Sequence, residues 1–279
     1  WALATEVALV FLSRRGSYLG QAWPAAGGRR ITRLRAQLAA ADRPETRLRF
    51  ARAVVAAKLR KQQVLLQRFG RRDTAETVTA AASQINQLIG MLGDCTDRDT
   101  LMGMEGAAAR EYFAALGALV PEELRFQGRT RQPPEDVINA ALSYGYAVLL
   151  GEVTSALCAA GLDPAIGMLH TEADRRPALA LDVIEEFRPL IVDQVVISAA
   201  RRGELRAAHG RREDNSPGVL LTRAGREAVI GGYERRMLQH TRGALPGFSG
   251  SLRRHLYRQA ERIAAHINHA EDWTGLSWR

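Results

Sequence analysis

Glu152, His170, Asp182 and the adjacent pair Glu185 and Glu186 are the residues of this chain whose types could hold a cation together. The stretch HTEADRRPALALDVIEEFRP, residues 170 to 189, opens on a histidine and runs into three acids within two helical turns. Like charges at that spacing repel unless something cationic sits among them, either arginine or a metal ion. Carboxylates with one imidazole suit Mg2+ or Mn2+, and the imidazole tilts the set towards Mn2+. The chain is strongly basic, with a formal charge of +9 and a pI near 10.3. In a basic protein such a set suggests phosphodiester chemistry, where a metal polarises the phosphate and stabilises the oxygens of an in-line displacement.

Each residue also has a plainer explanation. Glu152 is the only charge between Val137 and Leu162, with Val148, Leu149, Val153 and Leu157 around it along a helix. An ionised carboxylate there is costly unless it is paired or bound to metal. It therefore pairs with an arginine, reaches water along a stripe of Asn139, Ser143 and Ser155, or is functional. On the following helix, centring the buried face on Phe187 puts Ala180, Val183, Ile184, Leu190 and Ile191 on the same side. Asp182 and Glu185 then fall on the far side with Glu186 beside Asp182, so a solvated acidic face explains them without chemistry. Periodicity leaves open which of Glu185 and Glu186 reaches inward. His170 reads equally as a loop histidine.

These residues need a scaffold, and 279 residues with 46% hydrophobic content can build one large domain or two modest ones. Lys58 and Lys61 are the only lysines among 39 basic residues. Arginine's planar fork suits phosphate, and the net charge makes nucleic acid the partner to test. Cys95 and Cys158 form no spaced framework, which points to a reducing cytosol and excludes a cysteine-type zinc site. The run Val137–Leu162 resembles a membrane span, but its polar residues and arginine-rich surroundings make it a core helix. The chain opens on Trp1 rather than Met, so an upstream segment is expected.

The expected fold is mostly α with a small N-terminal β portion, in two domains. Residues 1–23 form a partial β domain, with two strands in EVALVFLSRRGSYLGQAW joined at Arg14, Arg15 and Gly16, and 24–28 form a linker. Residues 29–279 form a helical, metal-dependent catalytic domain. Asp42-Arg43-Pro44-Glu45 opens a long helix ending at Gly70, and Asp73-Thr74 cap the next. Further helices include Glu105 to Leu116, the apolar run, one capped by Thr222 through Tyr233, and Ser251 to Ile267. Residues 121–136, 161–167 and 203–218 read as loops, the last with room for a small hairpin.

The segments MEGAAAREYF, NAALSYGYAVLLGEVTSAL, GLDPAIGMLH and LALDVIEEFRPLIVDQVV together resemble the CRISPR-associated spacer-acquisition integrase, the Cas-one family. VFLSRRGSYLG, KLRKQQVLL and GVLLTRAGREAVIGGYERRM extend the resemblance in family order over nearly the whole chain. The resemblance implies a metal-dependent DNA endonuclease and integrase that joins prespacer 3′-hydroxyl ends to the CRISPR repeat by transesterification. It puts the family's metal-binding Glu on Glu152, its His on His170 and its third ligand on Glu185, with Asp182 a supporting acid at the catalytic site and Glu186 solvated. It implies a cytoplasmic homodimer working on DNA with a Cas-two-type protein and Mg2+ or Mn2+. The abbreviated β domain further suggests fusion to, or partnership with, a Cas-four-type nuclease. The aromatic expected at the start of the AAHGRREDNSPG hairpin is missing.

Arg131, Arg176 and Arg188 are the candidate DNA contacts, with Arg188 also suited to pairing with an acid at the helix end before Pro189. Two other functions compete with integration. One is a non-catalytic DNA-binding protein whose acids pair with Arg175, Arg176 or Arg188. The other is a metallohydrolase of a small anionic substrate, which gives no reason for charge spread along the whole chain.

Overall fold

The computed structural model describes residues 1–5, 7, 9–12, 18–24, 30–70, 75–174, 176–212, 217–269 and 272–278. An antiparallel hairpin, β1 (Leu9–Leu12) with β2 (Tyr18–Ala22), leads into the helical region. Then follow α1 (Arg30–Ala41), α2 (Pro44–Phe69), α3 (Ala75–Met91), α4 (Arg98–Gly117) and α5 (Val137–Ala159). After α6 (Ala178–Phe187) the backbone widens into a π-helical segment, Arg188–Asp193, and resumes as α7 (Gln194–Arg201). Pro189 lies in that segment and cannot donate to an i−4 carbonyl, a local cause of the changed pitch. A hairpin of β3 (Gly210–Arg212) and β4 (Val219–Leu221) precedes α8 (Arg223–Leu238). A second hairpin, β5 (His240–Leu245) and β6 (Phe248–Ser251), precedes α9 (Leu252–His269).

The expected mostly helical architecture with an N-terminal β portion is the one observed. Pro44 starts α2 and Thr222 caps α8 by accepting from the Gly225 amide, both as the sequence suggests. The expected turn at 14–16, the linker beyond Pro24 and the Asp73-Thr74 cap lie outside the described residues. Helix α1 falls in the expected helical region, whereas the β5–β6 hairpin was not expected. Most of α5, long and apolar enough to cross a membrane, is buried in the protein.

The chain divides into two compact units, each assembled from separated stretches. The first comprises Trp1–Val54, Ala147–Glu185 and His240–Leu276. In it α1 packs on α9, and Phe50 stacks on His266 and packs tilted against Trp273, at ring-centroid distances of 5.6 and 5.3 Å. The second comprises Val55–Tyr146, Glu186–Gln239 and Ser277–Arg279, with α3 on α4 and α7 on α8.

Both lysines are buried in the second unit, each against a glutamate. Lys58 pairs with Glu105, and Lys61 Nζ stands 3.0 Å from Glu186 Oε1. The side chains of the Lys61–Glu186 pair are 3% and 0% exposed. A solvated Glu186 is therefore incorrect, as is the solvated acidic face: Asp182 and Glu185 are buried too. The helix is enclosed all round, so its acids cannot be sorted by an amphipathic pattern.

Removing one partner of such a pair strands the other charge, at a cost of about 3–5 kcal/mol, whereas replacing both with apolar groups is close to neutral. Lys61→Met should thus destabilise strongly in urea unfolding, and Lys61→Met with Glu186→Leu should recover most of the loss. A double variant as unstable as the single one contradicts the pairing.

Candidate active site

The loop joining α5 to α6 is fixed through its backbone, all within the first unit. Gly161 ends α5 at φ +73°, and the Leu162 amide reaches back to the Leu157 carbonyl. From α1, Arg33 donates to the Ala160 carbonyl, and the buried Gln37 amide donates to the carbonyls of Asp163 and Ile166 while accepting from the Asp163 amide. A side chain at Gly167 would sit 2.7 Å from the Ala178 Cβ, so glycine lets the loop lie against the start of α6.

The loop then ends on Asp182. Its Oδ2 accepts from the amides of Met168 and Leu169 at 2.7 and 2.9 Å, and its Oδ1 from the His170 amide at 2.8 Å. Oδ1 also lies 2.8 Å from His170 Nδ1. A fully buried carboxylate gathering three amides and an imidazole is well satisfied and holds the ring in one orientation. With Nδ1–H donated to Asp182, the lone pair is on Nε2, the usual arrangement of a metal-binding histidine and its supporting carboxylate. Glu185, 4% exposed, follows Asp182 by three residues on the same row of α6.

Glu152 is engaged elsewhere. Arg253 of α9 grips it with both arms of the guanidinium, Nη2 to Oε1 at 2.7 Å and Nε to Oε2 at 3.1 Å. This is the arginine-paired alternative, and an ion would compete with the guanidinium for both oxygens. Burial and then Glu152 raise the pKa of the neighbouring Tyr257 phenol. Among the described residues no three His, Cys, Asp or Glu side chains stand ready to hold a metal ion. The structure thus joins His170 to Asp182 and leaves Glu152 in an ion pair.

Of the candidate DNA contacts, Arg131 and Arg176 are exposed. Arg175 lies outside the described residues. Arg188 is half-buried, its guanidinium carbon 4.6 Å from the centroid of the Tyr146 ring. Sequence reasoning missed Asp193, which is 1% exposed and accepts from the hydroxyls of Tyr112 and Tyr146. The signal was present: Asp193 is the only charge from Pro189 to Ala200, the same lone-acid pattern that singled out Glu152.

Comparison with known proteins gives this arrangement its family. The sequence profile described as CRISPR associated protein Cas1 matches residues 1–235. The chain belongs to the Cas1 family. It is 43% identical over 232 residues to "CRISPR-associated endonuclease Cas1 1" of Thermus thermophilus, covering 83% of this chain and 68% of that one. It is 36% identical over 275 residues to a "CRISPR-associated exonuclease Cas4/endonuclease Cas1 fusion" of Rhodospirillum rubrum, covering 95% of this chain and 46% of the fusion. The solved "Partial Cas6-RT-Cas1--Cas2 complex" contains a chain that matches with a TM-score of 0.83 at 25% identity, over 99% of this chain and 82% of that one. Cas1 membership accords with the resemblance carried by the sequence segments.

If Asp182 anchors the His170 loop of this Cas1-family chain, Asp182→Ala should free three buried amides, each costing about 1–3 kcal/mol. Hydrogen exchange at Met168, Leu169 and His170 should accelerate far more than at the α9 amides. Unchanged protection there would remove Asp182 as the anchor.

Proposed function

We propose that this protein is a metal-dependent DNA integrase and endonuclease of CRISPR adaptation, joining the 3′-hydroxyl of a prespacer to a repeat phosphodiester by transesterification. The observation that carries the reading is the His170–Asp182 pair, built into a buried acidic helix of a Cas1-family chain. His170 would offer Nε2 to a divalent ion and Glu185 a hard carboxylate oxygen, a donor set that suits Mg2+ or Mn2+. Asp182 keeps its hydrogen bonds and orients His170. Such an ion, when bound, lowers the pKa of the attacking hydroxyl and offsets charge on the pentacoordinate phosphate.

Arginine supplies the rest. Exposed Arg131 and Arg176 neutralise phosphates, so binding is steeply salt-dependent and weakly sequence-specific. Partnership with a Cas-two-type protein and a Cas-four-type nuclease belongs to the same proposal, supported by the names of the relatives, and homodimerisation is proposed with it on the family resemblance alone. Glu152, the third ligand that the family resemblance implies, would hold the ion alongside or in place of Arg253.

The experiment is metal-dependent strand transfer of a labelled prespacer into a repeat-bearing plasmid, with the Cas-two-type partner present. His170→Ala and Glu185→Ala should lose about 100-fold or more, the scale of removing a preorganised electrostatic contact. Affinity for duplex DNA should change little. Glu152→Gln should lose activity as those variants do, whereas Arg253→Gln, which leaves the carboxylate in place, should stay within a few-fold of wild type. Wild-type activity in His170→Ala overturns the proposal. Wild-type activity in Glu152→Gln removes Glu152 from the ligand set.

A further inference from the structure

The first turn of α9, within the first unit, carries a cation that the proposed chemistry does not use. Arg253 holds Glu152, and the next residue, Arg254, is exposed. Its guanidinium carbon stands 5.6 Å from the centroid of the Phe248 ring on β6. Among the described residues the Arg254 side chain makes no hydrogen bond and no ion pair, while its backbone amide donates to Ser251 Oγ at 3.3 Å.

This sets Arg254 apart from the other arginines of its helix. Arg253 is committed to Glu152, Arg258 to Glu261, and Arg262 to Gln259 and the Thr274 carbonyl. Two features seat the Arg254 side chain instead. Phe248 meets the buried His255 ring edge-on, with centroids 4.8 Å apart, so the aromatic face is held independently of Arg254. Gly250 leaves room for the stem: a Cβ there would lie 3.3 Å from Arg254 Cβ and 3.4 Å from Cδ. Attraction to an aromatic face orients a guanidinium without consuming its in-plane donors. The acceptors that match this fork are carboxylate and phosphate, and a net charge of +9 favours the polyanion.

We infer that Arg254 grips a phosphate of the DNA backbone, with Phe248 as its positioning residue. The inference rests on the DNA-integrase reading and adds to it a contact one residue from the arginine that holds Glu152. It also accounts for a ring and a glycine arranged around a cation to which the described residues offer no acceptor.

The test measures duplex DNA affinity of the full chain by fluorescence anisotropy over a salt series, with thermal unfolding as the check on folding. Arg254→Gln should weaken binding and shallow the salt slope by about one counterion. Phe248→Leu keeps the charge but removes the aromatic face. It should weaken binding in the same direction and add nothing in the Arg254→Gln background. Gly250→Val, which pushes the stem off β6, should behave as Phe248→Leu does. A wild-type slope in Arg254→Gln overturns the inference. Wild-type affinity in Phe248→Leu, or losses that add in full in the double variant, reduce Phe248 to a structural residue and overturn it as well. If neither Phe248→Leu nor Gly250→Val folds, Arg254→Lys decides. Lysine keeps the charge but not the planar fork, so wild-type affinity in that variant overturns the inference. If wild-type protein binds DNA without salt dependence, the DNA-integrase reading itself falls, and this inference with it.

Discussion

Asp182 is one carboxylate with four obligations. Its oxygens accept three successive backbone amides and face the His170 ring, so one fully buried charge sets both the path of the 168–170 loop and the direction of the imidazole. Hydrogen bonds to an ionised acceptor contribute more than neutral ones, roughly 1.5–3 kcal/mol each, and together they offset the desolvation of a carboxylate inside a helix. The neighbouring elements serve the same end. Gln37 and Arg33 hold the earlier part of the loop, and Gly167 lets it approach α6. Take Asp182 away and the histidine keeps its place in the sequence but not in space.

The same economy recurs at other enclosed acids of the described residues. Glu186 has Lys61, Glu105 has Lys58, Glu152 has Arg253 and Asp193 has two tyrosines. The chain uses arginine almost everywhere else, and its two lysines, 58 and 61, both stand buried against a glutamate, where a compact ammonium makes a single close contact. Arginine takes the half-exposed sites, where its fork can grip two oxygens, as Arg253 does, or lie on a ring, as Arg188 does.

The long elements were legible in the sequence because their causes are local. Pro44 starts α2, Thr222 caps α8, and an apolar run of 23 residues makes α5. The acids of α6 were not, because their partners are remote. Asp182 answers to a loop up to 14 residues upstream, and Glu186 to a lysine 125 residues away. A periodicity argument assumes one wet face, and α6 has none, so three buried acids read as a solvated stripe. For Glu152 the isolation was visible, and so were its alternatives; only the fold revealed Arg253. Family resemblance named His170 and Glu185, whereas the physical reason for the His170 orientation needed the structure.

The central claim is that a divalent ion binds through the histidine that Asp182 orients. Pulsed electron paramagnetic resonance on Mn2+-loaded protein reads this directly, because a coordinated imidazole nitrogen modulates the echo. The account predicts coupling from one histidine nitrogen, abolished in His170→Ala and weakened or heterogeneous in Asp182→Ala, with Glu152→Gln retaining it. Nitrogen coupling that survives unchanged in His170→Ala, or a bound Mn2+ with no nitrogen ligand, would contradict it.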